Sequence, residues 1–277
     1  MMPFDFEYHH PLTIQEAVTT FARLDMSGKT PKYYGGGTEL ISMARMNNLS
    51  FGSVVDIKDV PECKVLQLDN ENLTLGSALT LTQIHENNTF PLLSQSGARV
   101  ADHTIQNKIT LGGNLCGTII YKETLLPLLL TDSELVLADP SGMRTVKIGD
   151  VYRERIELNP FEFIVQVKIP AKYLGVPYFH LKRTKQDKIT YPLVTVCALQ
   201  ADNQIRLAFS GLCHFPFRSK EMEKVVNDKS MPMDARIDWA VNCIPTETLD
   251  DIEGSFSFRQ FVVKKMLYDI INSLGAS

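Results

Sequence analysis

The chain has 277 residues, is 44% hydrophobic and 22% charged, and carries a formal net charge of −4 at pH 7. That is the balance of an ordinary globular protein with room for two domains, and its acidity argues against nucleic acid as the main partner, because phosphate backbones are bound through clustered basic surface. No stretch reaches the ~18–20 apolar residues of a membrane span, and the opening Met-Met-Pro-Phe-Asp-Phe-Glu lacks the basic and apolar regions of a secretion signal, so a cytoplasmic protein with no membrane partner is expected.

In chain order, residues 11–18 carry a capping box, with Thr13 as N-cap and Glu16 three residues on. Ile14, Ala17, Val18 and Phe21 then repeat at helical spacing. The chain becomes extended toward Tyr34, turns through Gly35, Gly36 and Gly37, and predicts a short helix over 40–46. Residues 54–57 and 73–77 read as strands around a turn at 69–72. Helices are predicted from 82 and from 91, an extended segment leads to a second glycine run at 110–115, and an apolar buried helix follows at 125–130. Strands are predicted over 134–138 and 163–169, with a turn at 139–142. A boundary falls at 171–176, and paired strands follow at 193–199 and 205–210. Helices are expected over 219–226 and 258–274. The basic run 182–188 reads as a solvated loop or a small anion contact. The pattern is α+β in both halves, without the regular alternation of a doubly wound sheet.

The five cysteines (Cys63, Cys116, Cys197, Cys213 and Cys243) are scattered and form no CxxC pair. Neither a zinc site nor an iron–sulfur cluster is expected, so no metal is assigned to this chain. The chemistry concentrates instead in the two glycine runs. Each lets the backbone approach a partner closely, and a glycine loop feeding a helix offers free N–H groups to phosphate oxygens. Neither run has the GxGxxG or Walker A spacing, so on spacing alone each could be a simple turn.

Residues 100–115 resemble the "IRN-x-(A/G)-T-(I/L)-GGN-(L/I)" signature of the FAD-binding subunits of molybdenum hydroxylases, the group of xanthine dehydrogenase and the carbon monoxide dehydrogenase medium subunit. The resemblance runs through nearly the whole chain. The family's "P-x-(S/T)-(L/I)-x-EA" is similar to residues 11–17, "AGGT(D/E)L" to 35–40, and "(L/V)VDI" to 54–57. Residues 73–80 resemble "L-x-(I/L)-GA-x-(L/V)-T", residues 162–170 resemble "(E/F)-(I/L)-(I/V)-x-x-x-IP", and Phe258-Arg259 stands where the family has Tyr-Arg.

The resemblance implies a two-subdomain FAD-binding domain over 1–172 and a small α+β C-terminal domain over 176–277, with a short antiparallel sheet and helices. It implies FAD pyrophosphate along Tyr34, Gly35, Gly36, Gly37, Thr38, Glu39 and Leu40, and further contacts from Thr110, Gly112, Gly113 and Asn114. Phe163 and Ile164 match positions near the nucleotide portion, with plain strand core as the alternative. Three departures stand out, the first being Gln106 in place of the signature's Arg. After Asn114 the family's Ser-Pro is missing, which leaves Glu123 as the candidate for a flavin-side Asp. His180 stands in for the Lys of a "Y-x-K" motif, either as a phosphate or ribose donor or as a structural histidine. The implied function is electron transfer in a xanthine dehydrogenase-like complex. Electrons would pass from a molybdenum-cofactor large subunit through 2Fe–2S clusters of a small subunit to FAD, and on to an acceptor such as NAD. This chain would supply no catalytic acid, base or nucleophile. The rival readings are a flavin-free assembly scaffold of the same fold and a stand-alone flavoenzyme of the vanillyl-alcohol-oxidase type.

Overall fold

The computed structural model describes residues 2–186 and 190–275. In chain order the elements are β1 (Glu7–His9), α1 (Ile14–Met26), β2 (Pro31–Tyr34), α2 (Thr38–Arg45) and β3 (Ser53–Asp56). A 3-10 turn at Pro61–Lys64 precedes β4 (Leu66–Leu68) and β5 (Asn72–Gly76). Four helices follow: α3 (Leu81–Asn87), α4 (Pro91–Gly97), α5 (His103–Gln106) and α6 (Leu111–Cys116). Next come α7 (Leu125–Leu130), β6 (Glu134–Asp139), β7 (Gly142–Lys147), α8 (Ile148–Val151) and β8 (Phe163–Pro170). The last stretch holds β9 (Tyr178–Thr184), β10 (Pro192–Ala201), β11 (Gln204–Ser210), β12 (Phe217–Arg218), α9 (Lys220–Val226), α10 (Met233–Val241) and α11 (Phe256–Leu274).

The chain forms two compact units. The first comprises Met1–Asn87, His103–Gly117 and Ser133–Ala171, and the second comprises Asn88–Asp102, Thr118–Asp132 and Lys172–Ser277. The chain thus passes from one unit to the other five times, the last time at Ala171.

The first unit carries two sheets. A parallel one has the order β1-β3-β2, and an antiparallel one has the order β4-β5-β8-β6-β7. β3 is central and buried along its whole length, as a parallel strand covered on both faces must be. β7 is an edge strand and mostly exposed. Helix α1 begins as the capping box predicts: Thr13 Oγ1 accepts the Glu16 N–H at 3.1 Å. The Glu16 carboxylate reaches one residue further back than the standard motif and accepts from Leu12 N–H at 2.9 Å. Its buried Ala17 and Val18 join Val55 of β3, Val136 of β6 and Phe163 and Val165 of β8 in one apolar cluster.

The second unit is built on one antiparallel sheet, β12-β11-β10-β9. Val194, Val196, Ile205, Leu207 and Phe209 of that sheet share a core with Met222 of α9, Ile237 of α10 and Val263, Met266, Leu267 and Ile270 of α11. Helix α7 has all six residues buried and packs against β10, β11 and β12. Arg259, fully buried, donates from its Nη1 to the carbonyls of Leu193 and Gly211, from Nε to Gly254 O at 3.3 Å, and from Nη2 to Asp251 at 2.5 Å.

Three expectations need correction. The second glycine run is not a loop after an extended segment: it follows α5 and forms α6 itself, with Thr110 as N-cap. The basic run begins inside β9 rather than in a solvated loop, and its 187–189 portion lies outside the described residues. The turn at 139–142 opens directly into β7, which the sequence reading omits along with α10.

Candidate flavin-binding site

The first glycine run joins β2 to α2. Gly37 adopts φ +70°, a left-handed conformation that favours glycine, and a side chain there would drive into the Tyr34 ring. As N-cap of α2 it supplies no side-chain acceptor to the helix start. Among the described residues, the backbone N–H groups of Gly35, Gly36, Gly37, Thr38 and Leu40 meet no acceptor within the chain. Five unclaimed donors at the positive end of a helix form a ready anion cradle. Residues 35–40 are half-buried, so the cradle opens on solvent.

The second run is built differently. Leu111 N–H donates to Leu79 O at 2.8 Å, Gly112 N–H to Ser77 O at 2.8 Å, and Asn114 N–H to Thr110 O at 2.9 Å. Gly113 N–H donates to Thr110 Oγ1 at 3.2 Å. Every amide from 111 to 114 is therefore committed inside the protein, so Gly112 and Gly113 have no N–H left for a phosphate. Their glycines serve close packing instead. A Cβ on Gly112 would come within 2.8 Å of Ser77 Cβ, and one on Gly35 within 2.6 Å of Thr110 Oγ1. A Cβ on Gly36 would fall inside the Lys108 carbonyl group. The two runs thus touch: the second buttresses the first and leaves Asn114 half-buried and Gly113 exposed beside it.

A charged group that the sequence reading did not assign sits at this cradle. Lys58 Nζ donates to Gly35 O at 3.3 Å and to Asp56 Oδ2 at 2.5 Å, and lies 4.5 Å from the centre of the Tyr34 ring. Asp56 is almost fully buried and also accepts from Lys58 N–H at 3.0 Å and Tyr8 OH at 2.5 Å. The hydrogen bond to that carboxylate, aided by burial, pushes the Tyr8 phenol up to about 12. Burial, and then Asp56, also raises Tyr34. The only sequence signal for Lys58 is its place directly after the Val-Asp-Ile block.

The remaining predicted residues lie on or beside other elements. Phe163 is core: its ring sits 4.6 Å from that of Tyr33 in the cluster shared with α1, and Ile164 beside it is equally buried. Glu123 and His180 belong to the second unit. Glu123 pairs with Lys182 at 3.3 Å, both side chains being at most 4% exposed, and Lys182 Nζ also donates to Arg99 O at 2.7 Å. On β9, His180 and Lys182 share a face, since residues two apart in a strand do. His180 Nε2 is buried without a partner. Burial, then the Arg99 and Lys182 charges, pushes the imidazole down to about 4. It is neutral at physiological pH.

A helix-capping cradle of unclaimed amides, braced by a second glycine segment, is chemically suited to a phosphate-bearing ligand. The family described as the FAD binding domain in molybdopterin dehydrogenase matches residues 4–172, more than half of the chain. The chain belongs to that family, and FAD is its cofactor. It is 24% identical to the carbon monoxide dehydrogenase medium chain of Hydrogenophaga pseudoflava, over 100% of this chain and 99% of that one. It is 25% identical to the glyceraldehyde dehydrogenase medium chain of Sulfolobus acidocaldarius, over 95% and 96%. The fold is that of a solved carbon monoxide dehydrogenase from Hydrogenophaga pseudoflava lacking the Mo-pyranopterin moiety, with a TM-score of 0.88 at 20% identity, covering 100% of this chain and 99% of that one.

Proposed function

We propose that this chain is the FAD-binding electron-transfer subunit of a multi-subunit molybdenum hydroxylase, assembled with a molybdenum-cofactor large subunit and a 2Fe–2S small subunit. Full-length similarity to medium chains of two dehydrogenases supports the subunit reading. The observation that carries the site is the set of unclaimed amides of Gly35, Gly36, Gly37, Thr38 and Leu40. In this reading those N–H groups and the Thr38 hydroxyl hold the FAD pyrophosphate. Thr110, Gly112 and Gly113 set the height of the loop, and Asn114 offers the nearest side chain of the second run. FAD, when bound, supplies the redox chemistry, and the protein positions and tunes it. Every step left to this chain is one of binding and orientation.

Substrate choice belongs to the large partner. The names of those two relatives specify carbon monoxide and glyceraldehyde, so a xanthine-like substrate rests on motif resemblance and on a 23% identical match, over 73% of this chain, to the xanthine dehydrogenase/oxidase of Gallus gallus, and NAD as acceptor has no residue assigned to it in this chain. The flavin-free scaffold draws only on the altered segment after Asn114. It leaves unexplained why five donors stay unpaired at a helix start, which is costly unless a ligand or water meets them. The test is direct. The purified chain, or the apo-chain given FAD, should show the absorbance of bound oxidised flavin at about 450 nm and release FAD on denaturation. A chain that is colourless after incubation with excess FAD and removal of the unbound flavin refutes the reading.

A further inference from the structure

We propose that Lys58 fixes the orientation of the Gly35–Gly36 peptide and thereby aims the Gly36 N–H at the cofactor's pyrophosphate. The inference rests on the reading that the first glycine run holds that group. A peptide between two glycines is the one most free to turn over, because neither flanking residue has a Cβ to restrict it. Among the described residues there are no cis peptides. In a trans peptide the carbonyl and the following N–H point in opposite directions, so whatever holds the Gly35 carbonyl also sets where the Gly36 N–H points. Lys58 Nζ holds that carbonyl at 3.3 Å.

The lysine is itself held. Its backbone N–H and its ammonium both donate to the buried Asp56 carboxylate, at 3.0 and 2.5 Å, and Tyr8 OH holds the same carboxylate at 2.5 Å. The ammonium also lies over the Tyr34 ring. Tyr8 from β1, Asp56 from β3 and Lys58 just beyond it thus form a strut beneath the loop. The opposite side of the peptide bears the Gly36 amide, which has no acceptor among the described residues. A cationic donor on the carbonyl also polarises the peptide and makes that N–H a better donor.

The test uses the full apo-chain. FAD affinity is measured by titration for wild type, Lys58→Met and Lys58→Arg, and the Gly36 amide signal is followed in protein labelled with 15N-glycine. Lys58→Met should bind FAD on the order of tenfold more weakly, about 1.4 kcal/mol, and its Gly36 signal should broaden or split as the peptide samples two orientations. Lys58→Arg, which keeps a cation on Asp56, should keep a single signal and most of the affinity. Affinity in Lys58→Met within about twofold of wild type, or weaker binding with an unchanged Gly36 signal, overturns the inference alone. Absence of FAD uptake by wild type overturns the flavin reading, and the inference falls with it.

Discussion

Replacing Gly36 by alanine separates two reasons for a glycine in a cofactor loop. If the residue is glycine only so that phosphate can approach, the variant loses FAD but the apo-chain is as stable as before. The structure says otherwise, because the space a Cβ would take is filled by the chain itself. The added carbon would overlap the Lys108 carbonyl oxygen, lie 2.7 Å from its carbonyl carbon and lie 3.4 Å from Ile109 Cα. Comfortable carbon–carbon contacts are about 3.5–4.0 Å, so one backbone must move by about 1 Å. Neither can do so cheaply. Ile109 O accepts from Leu81 N–H at 3.0 Å and Leu111 N–H donates to Leu79 O at 2.8 Å, which pins the second run on both sides of Thr110. Overpacking costs about 1–3 kcal/mol, and backbone against pinned backbone belongs at the upper end. Gly36→Ala should therefore lower apo-chain stability by about 3 kcal/mol and abolish FAD uptake as well. Urea unfolding of the apo-proteins reads the first effect and flavin absorbance the second. An apo-variant within about 0.5 kcal/mol of apo-wild type would refute the buttress and restore the simpler account, in which the glycine serves the ligand alone.

Two further outcomes follow from the second unit. Arg259→Met leaves the Leu193 and Gly211 carbonyls and Asp251 without their shared donor. Breaking such a buried network costs about 3–5 kcal/mol, so a urea midpoint unchanged from wild type would show that the guanidinium is dispensable. His180 has a folded-state pKa of about 4, against 6.5 when unperturbed. The unfolded chain therefore binds the proton first as pH falls. The stability contributed by the neutral imidazole is complete above about pH 6.5 and is lost as pH drops toward about 4, by up to about 3 kcal/mol. His180→Phe should flatten the melting temperature over that interval, and parallel wild-type and variant curves would count against it.

Much of the fold was legible because local and tertiary demands agree. The Thr13–Glu16 box does start α1, alternation and turn residues do mark β5, β6, β8, β10 and β11, and the apolar run 125–130 is the buried α7. The misses share a physical cause. Gly112 and Gly113 read as loop because glycine is a poor helix former, but their place against Ser77 and Thr110 overrides propensity. Lys182 read as part of a solvated loop or small anion contact because it opens a short run of charges. Its partner, Glu123, is distant along the chain and is brought to it only by the fold. At the candidate site the sequence treated both glycine runs as ligand-facing. Only the fold reveals that five amides of the first run meet no acceptor among the described residues while those of 111–114 are spent.

The path of the chain between its two units also bears on how this protein can be cut or recombined. The stretch a family match delimits at 4–172 looks like a detachable cassette. Yet two of its segments, Asn88–Asp102 and Thr118–Asp132, belong to the second unit, and α7 has its apolar surface seated on strands that begin only at Pro192, Gln204 and Phe217. A truncation after Ala171 would strip all three strands from that helix, whose six residues are buried, and leave its smaller packing on α4, exposing an apolar patch of the kind that drives aggregation. During synthesis the same helix must wait for the later strands before it can be packed. Exchange of flavin domains between related proteins should therefore succeed as whole chains and fail as fragments.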